Sequence, residues 1–171
     1  MKIIEPLTHS FLDYPSSEGS CISMYVIGCE HNCKDCSNPD LQDFNYDVKI
    51  QSPEQVAFLL SNEFKKTPFK QLALIGGDPL HPKNLDDTKM LLYYLNGHID
   101  VIIYTGYDVE YCKKNNVTDF KFLKCGCYNN KLKQESEKTD DYIQFASKNQ
   151  KLYGEDYNLI SENGRYYFDR S

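Results

Sequence analysis

The sequence predicts an α/β fold: a partial (open) β/α barrel of parallel strands with crossover helices and a C-terminal hairpin. Three observations carry this reading. Apolar, β-branched runs alternate with segments of helical periodicity between residues 21 and 123. Glycine-bearing polar turns follow the first three runs. At roughly 30 residues or more per strand-helix-strand unit, a chain of 171 residues is too short to complete eight of them. That length fits one domain with its own core, spanning residues 1–171.

Taken in order, Cys21 to Gly28 (Cys-Ile-Ser-Met-Tyr-Val-Ile-Gly) reads as a buried strand. A helix starts at Ser52-Pro53-Glu54-Gln55, where Ser52 caps, Pro53 suits the first helical position and Gln55 completes a capping box. Val56, Leu59, Leu60 and Phe64 give that helix one apolar face. Gln71 to Ile75 is the second strand, followed by Gly76-Gly77-Asp78-Pro79-Leu80 and a helix from about Asp86 to Leu95. Ile99 to Tyr104 is the third strand, Thr105-Gly106-Tyr107 its exit turn, and Asp108 opens a short helix toward Asn115. Phe120 to Leu123 is a weaker fourth strand. The polar stretch Asn129 to Asp141 reads as a loop, and Asn163-Gly164 as the hairpin turn between Leu159-Ile160 and Tyr166-Tyr167-Phe168. Strands joined by helical crossovers run parallel, so their C-terminal ends share the side where such folds bind ligands.

Composition narrows the function classes. A formal net charge of −6 with dispersed lysines argues against a nucleic-acid surface. No apolar span is long enough for a membrane helix, and Met1-Lys2-Ile3-Ile4-Glu5-Pro6 carries charge and proline where a signal peptide needs an apolar core. The expectation is a cytoplasmic protein with neither nucleic-acid nor membrane partners. Its seven cysteines are an odd number and three are crowded together, which in a reducing compartment favours metal ligation over a disulfide framework.

The crowded three stand in Cys29-Glu30-His31-Asn32-Cys33-Lys34-Asp35-Cys36, directly after the first strand. Spacing C-x3-C-x2-C allows three thiolates to ligate one metal centre, whereas a closed iron-sulfur cluster or structural zinc site needs four ligands. One position is left for a cofactor or substrate. Two other readings stay open at this point: a Cys3His zinc site with His31 as fourth ligand, and an electron-transfer cluster completed by Cys125 or Cys127. Cys21 and Cys112 read as packed thiols. The second motif, Gly76-Gly77-Asp78-Pro79, lies beyond a later strand; its glycines permit close backbone approach to a ligand, and Asp78 offers a carboxylate to a ligand ammonium. Alone it is an ordinary turn. Beside an under-ligated cysteine trio it reads as a cofactor cradle.

With these motifs the chain resembles the radical S-adenosylmethionine superfamily. The resemblance implies that Cys29, Cys33 and Cys36 hold a 4Fe-4S cluster whose fourth iron is chelated by the amino and carboxylate groups of S-adenosylmethionine. It implies that Gly76, Gly77, Asp78 and Pro79 hold the methionine end, and that Asp35 and Ser37 contact the adenine through backbone atoms. Within the superfamily the chain is similar to the activating proteins of anaerobic ribonucleoside-triphosphate reductase. That likeness rests on Gly28-Cys29-Glu30-His31-Asn32-Cys33-Lys34-Asp35-Cys36-Ser37-Asn38, Gly77-Asp78-Pro79-Leu80-His81-Pro82, Tyr104-Thr105-Gly106-Tyr107 and Asn149-Gln150-Lys151-Leu152-Tyr153. Asp35 stands where those proteins usually carry Gly, the chain has no Trp, and Asp13-Tyr14-Pro15-Ser16-Ser17 replaces their Gly-Pro-Gly turn.

The resemblance further implies an activating enzyme. Its reduced cluster donates an electron to the sulfonium, a 5'-deoxyadenosyl radical forms, and a hydrogen leaves a glycine Cα of the large reductase subunit. The radical chemistry belongs to the cofactor, so no catalytic acid or base is expected. A low-potential donor such as flavodoxin is the further partner. The neighbouring reading is an activase of another glycyl-radical enzyme, such as pyruvate formate-lyase; a zinc-stabilised or electron-transfer binding module is the alternative of another class. His31 reads either as a loop residue bonding backbone or as a chemical participant. Thr105 and Tyr107 either line the cavity or end a strand and pack.

Overall fold

A computed structural model describes residues 1–17 and 20–169. Its elements, in chain order, are β1 (Thr8–Ser10), β2 (Cys21–Val26), α1 (Pro53–Phe64), β3 (Gln71–Gly76), α2 (Pro82–Leu95), β4 (Asp100–Thr105), α3 (Val109–Lys114), β5 (Phe122–Cys125), β6 (Glu137–Lys138), β7 (Tyr142–Gln144), β8 (Lys151–Gly154), β9 (Leu159–Ser161) and β10 (Arg165–Tyr167). Short 3-10 turns cover Pro39–Gln42 and Asn130–Leu132. Seven strands form one sheet in the order β1-β2-β3-β4-β5-β8-β9, and β10-β7-β6 form a small second sheet. Strands β2 to β5 are parallel neighbours connected through α1, α2 and α3. The flanking pairs β1/β2, β5/β8 and β8/β9 are antiparallel.

The parallel α/β core is as expected. With β1 and β9 as its two edges, the sheet is open, and the strand order establishes that much of the expected partial barrel. Side chains alternate across each strand, so neighbouring residues serve opposite faces. On one face Ile22, Met24, Leu72, Leu74, Ile103 and Leu123 pack against Val56, Leu60 and Phe64 of α1 and Leu91 and Leu92 of α2. On the other, Cys21, Ala73, Ile75 and Ile102 pack with Tyr14 from the N-terminal loop, Leu152 of β8, and Ile143 and Phe145 at the small sheet. The doubly buried parallel strands therefore read as continuous apolar runs.

Helix α1 starts where the sequence places it. Ser52 Oγ accepts from Gln55 N at 3.3 Å while Gln55 Oε1 accepts from Ser52 N at 2.9 Å, completing the box. Helix α2 instead begins four residues earlier than Asp86: the His81 ring accepts from Lys83 N at 3.1 Å, and Pro82 occupies the first helical position. A histidine cap is outside the usual Ser, Thr, Asp and Asn set, which is why the start was unreadable. Strand β4 runs one residue later than expected and takes in Thr105; β5 runs two later and ends on Cys125. Phe120 is buried without being in the strand and packs edge-on against Tyr157, with ring centroids 5.3 Å apart.

Two further expectations are corrected. The stretch Asn129 to Asp141 is not all loop, since it contains the second 3-10 turn and β6. The Asn163-Gly164 turn exists, with positive φ at both residues, but it closes no hairpin. Its two arms join different sheets, because β9 pairs with β8 and β10 with β7. Gly164 N donates to Gln150 O at 3.0 Å and Gly164 O accepts from Phe145 N at 2.7 Å, which pins the turn to the segment between the sheets. The C-terminal hairpin is β8/β9, one strand earlier.

Replacing Ser52 by Ala removes the acceptor that caps α1. The expected loss is about 1 kcal/mol of folding stability, measured as a lower denaturant midpoint at unchanged slope; an unchanged midpoint would show that the cap contributes nothing to α1.

Candidate functional site

Because β2, β3, β4 and β5 are parallel neighbours, their C-terminal exits lie side by side. The loops leaving them, with residues of the N-terminal segment and the small sheet, enclose a cavity of about 400 Å³. Cys29, Cys33, Cys36 and Ser37 reach it from the β2 exit, Gly76, Gly77 and Asp78 from β3, Thr105 and Gly106 from β4, and Gly126 and Cys127 from β5. The two sequence motifs, 40 residues apart, therefore meet at one place.

The β2 exit is held by backbone. Gly28 N donates to Leu41 O at 2.7 Å and Cys29 N to Gln42 O at 3.1 Å, so the Pro39–Gln42 turn folds back to close the cysteine loop. Cys36 N donates to Cys33 O at 3.2 Å, forming the turn that brings the last two thiols together. All three cysteines are free thiols. Among the described residues no three His, Cys, Asp or Glu side chains are grouped to hold one metal ion. Burial, helped by the negative charge of Asp78 and the neighbouring thiols and opposed by the backbone contact from His31, raises Cys29 to about 11. Since cysteines bind metal as thiolates, any metal loading of this loop would release protons.

The glycines of the second motif are required by the chain itself. A Cβ on Gly77 would stand 2.6 Å from Gly28 O, and one on Gly76, whose φ is +107°, would stand 2.8 Å from Val26 O. Gly77 N donates to Val26 O at 2.7 Å and Asp78 N to Gly28 O at 2.8 Å, so the β3 exit is sutured to the β2 exit at the distance only bare backbone allows. Asn84 of α2 reinforces the seam by donating to Ile27 O at 3.0 Å and Asp78 O at 2.9 Å.

Asp78 is fully buried, and its carboxylate accepts from Leu80 N at 2.8 Å, Gly106 N at 2.9 Å, Thr105 Oγ1 at 2.9 and 3.0 Å, and His31 Nε2 at 2.6 Å. An ionised carboxylate offers about four acceptor sites, and these donors occupy them. The expected pairing with a ligand ammonium is corrected accordingly: Asp78 lines the cavity, but its side chain is committed to the protein. His31 bonds this carboxylate rather than backbone. Thr105 lines the cavity, whereas Tyr107 packs outside it, edge-on to His31 at 4.5 Å and stacked on Tyr111 at 3.8 Å.

Two expected contacts fall outside the cavity lining. Asp35 is exposed and accepts from Asn130 Nδ2 at 3.1 Å. Its φ of +59° is the left-handed conformation that Gly adopts freely. Pro79 is buried, its carbonyl accepting from Thr88 Oγ1 at 2.7 Å. Cys127, which the sequence offered with Cys125 as a candidate fourth cluster ligand, lines the site; Lys124 lines it too and was not assigned to it from the sequence. Lys124 is nine-tenths buried, lies 4.8 Å from the Tyr104 ring centre, and forms no ion pair among the described residues. Burial lowers it to about 8, against the pull of Cys125 and Asp78. Its signal was a lone lysine among apolar strand residues in Phe122-Leu123-Lys124-Cys125.

The family model for a 4Fe-4S single cluster domain matches residues 16–153, and the chain belongs to that family. Proteins named anaerobic ribonucleoside-triphosphate reductase-activating protein are similar to it. The one from Haemophilus influenzae is 30% identical over 103 residues, covering 57% of this chain and 65% of the relative. That of Escherichia coli K12 is 27% identical over 104 residues (58% and 66%), and that of enterobacteria phage T4 28% identical over 105 residues (60% and 66%). The match thus spans just under two thirds of each relative. No solved structure matches the chain.

Two measurements test this geometry. Asp78→Asn puts an amide nitrogen where an acceptor is needed and leaves at least one buried donor unpaired, so the metal-free protein should lose about 1–3 kcal/mol; equal stability would deny the carboxylate its central place. Lys124→Met should change how stability depends on pH. A lysine lowered from 10.5 to about 8 binds fewer protons folded than unfolded between those values. The parent protein should therefore gain stability relative to the variant as pH rises through that window, and parallel denaturation profiles would show that the ammonium carries no such burial cost.

Proposed function

We propose that this member of the 4Fe-4S single cluster domain family holds its cluster on Cys29, Cys33 and Cys36, binds S-adenosylmethionine beside it, and activates an anaerobic ribonucleoside-triphosphate reductase. The observation that carries the reading is the meeting of the three free thiols with the Gly76-Gly77 turn in one cavity. The donor set suits the group: thiolates are the ligands of 4Fe-4S clusters, and three of them leave one iron for another ligand. The cavity volume lies within the range of small-molecule sites, roughly 300–1,000 Å³.

When bound, cluster and cofactor together supply one-electron cleavage of the sulfonium and a deoxyadenosyl radical able to take hydrogen from a glycine Cα of the large reductase subunit. The chain's own residues bind and orient. Gly76 and Gly77 keep the cavity wall thin where the methionine end would lie, and buried Pro79 ties the turn to α2 through the bond its carbonyl accepts from Thr88. Lys124 is a cation available to the cofactor's carboxylate, and Tyr25, Tyr104 and Phe145 supply apolar wall. Ser37 lines the cavity and would meet the adenine end through its backbone, with Asp35 contributing the left-handed turn before Cys36. A low-potential protein donor such as flavodoxin would deliver the electron, in an exchange between proteins that belongs to the cytoplasm. No helix among the described residues is long and apolar enough to cross a membrane.

Anaerobic reconstitution with iron and sulfide tests the ligand set. Cys29→Ala, Cys33→Ala and Cys36→Ala should each lose the cluster absorbance and dithionite-driven cofactor cleavage, whereas Cys21→Ala should retain both. Full iron loading in all three variants would remove the trio from the site. Mixing the reduced protein, S-adenosylmethionine and the reductase should then give a glycine-centred radical on the reductase, with deuterium from that glycine recovered in 5'-deoxyadenosine. Vigorous cofactor cleavage without a radical on the reductase would defeat the assignment of partner.

A further inference from the structure

The fourth thiol in the cavity has no part in the proposed function. Cys125 and Cys127 are two residues apart, and the end of β5 falls between them, so they serve different surroundings. Cys125 belongs to the core on the helix side, in contact with the buried Cys112 thiol. Cys127, beyond the end of β5, lines the cavity that holds Cys29, Cys33 and Cys36. Of the two, Cys125 has a packing role, and Cys127 alone reaches the cavity.

The backbone bearing Cys127 is held at several points. Gly126, at φ +110°, donates to Thr105 O at 3.0 Å and Tyr107 O at 3.1 Å, and its own carbonyl accepts from Gln150 Nε2 at 3.2 Å. Asn149 Nδ2 donates to Cys127 O at 2.8 Å. The thiol donates to Gly106 O at 3.3 Å. Gly106 also makes the room: a Cβ there would stand 2.8 Å from Cys127 Sγ and collide with the His31 ring. A sulfur fixed this firmly beside a cluster loop is a ligand in waiting.

We propose that Cys127 is the fourth ligand of the cluster in the cofactor-free protein and yields its iron when S-adenosylmethionine binds. This rests on the cluster being held by the trio under the proposed function. Three cysteines leave one iron under-coordinated, and a soft thiolate is a better ligand for it than water. The exchange balances in charge and protons. The iron–sulfur bond to Cys127 would break as the cofactor's nitrogen and carboxylate bond to the same iron; the cofactor's ammonium must give up a proton to coordinate, and the departing thiolate takes one up, so the cofactor falls from one positive charge to none while the thiolate becomes a neutral thiol. No electron moves in this step.

The test counts protected thiols in the full chain. Iodoacetamide labelling followed by peptide mass spectrometry should show Cys29, Cys33, Cys36 and Cys127 protected in the reconstituted protein, with loss of protection at Cys127 alone when S-adenosylmethionine is added. Electron paramagnetic resonance gives an independent readout. The reduced clusters of Cys127→Ser and the parent should differ without cofactor and coincide with it. A Cys127 that labels equally with and without the cluster, or that stays protected at saturating cofactor, overturns the proposal. In the first case a cluster still held by three protected cysteines leaves the functional reading standing, whereas failure of the parent to take up any cluster would defeat that reading instead.

Discussion

The site depends on one buried carboxylate. Asp78 receives hydrogen bonds from the β2 exit loop through His31, from its own turn through Leu80, and from the β4 exit through Thr105 and Gly106. Parallel strands each present a free loop at the same end, and nothing in the sheet's own hydrogen bonding fixes those loops relative to one another. A saturated acceptor at their centre does. Charged acceptors form stronger hydrogen bonds than neutral ones, and in a desolvated position every unmade bond is costly, so alternative arrangements of the three loops are penalised together. The cavity's shape is in this sense a consequence of Asp78.

The glycines act one layer further in. Gly77 touches Gly28 backbone to backbone, and Gly76 lies as near to Val26. Adjacent strands are hydrogen bonded as far as Val26 and Gly76, and these contacts continue the suture past the point where the strands end. Without it the cysteine loop and the turn would diverge. A Gly-Gly-Asp-Pro segment can thus be read as a ligand cradle from sequence and be required by protein packing in fact. The two demands coincide, since backbone bare enough to meet a neighbouring loop is also bare enough to meet a ligand.

Much of this was legible because it is local. The capping box of α1, the apolar runs of β2 to β4 and the cysteine spacing each declare themselves within a few residues. The missed features depend on distant partners. The α2 start rests on a His81 cap that carries no usual signal. The separation of β9 from β10 is decided by the hold of Phe145 and Gln150 on Gly164. The occupancy of Asp78 could not be read, because its donors come from residues 31, 80, 105 and 106. Lys124, and the choice between Cys125 and Cys127, needed the register of β5, which the sequence pattern places two residues too early. That shift misassigns the residues that end the strand and enter the site.

The charges gathered in the cavity bear on when an electron could enter. Lys124 is the one lysine or arginine among the described residues lining it, and it faces several thiols. Each thiolate bound to a cluster adds negative charge, and cluster potentials fall with increasingly negative net charge. With Cys127 as fourth ligand, the resting cluster would be harder to reduce; exchanging that thiolate for a cofactor whose chelating carboxylate is balanced by its sulfonium would leave one negative charge fewer at the cluster and make reduction easier. The cofactor that consumes the electron would then also admit it. A cluster that remained easy to reduce in the cofactor's absence would hold a strong reductant in an accessible cavity with no acceptor but solvent or oxygen, and placing a fourth thiol within reach of the trio avoids that state without any moving domain.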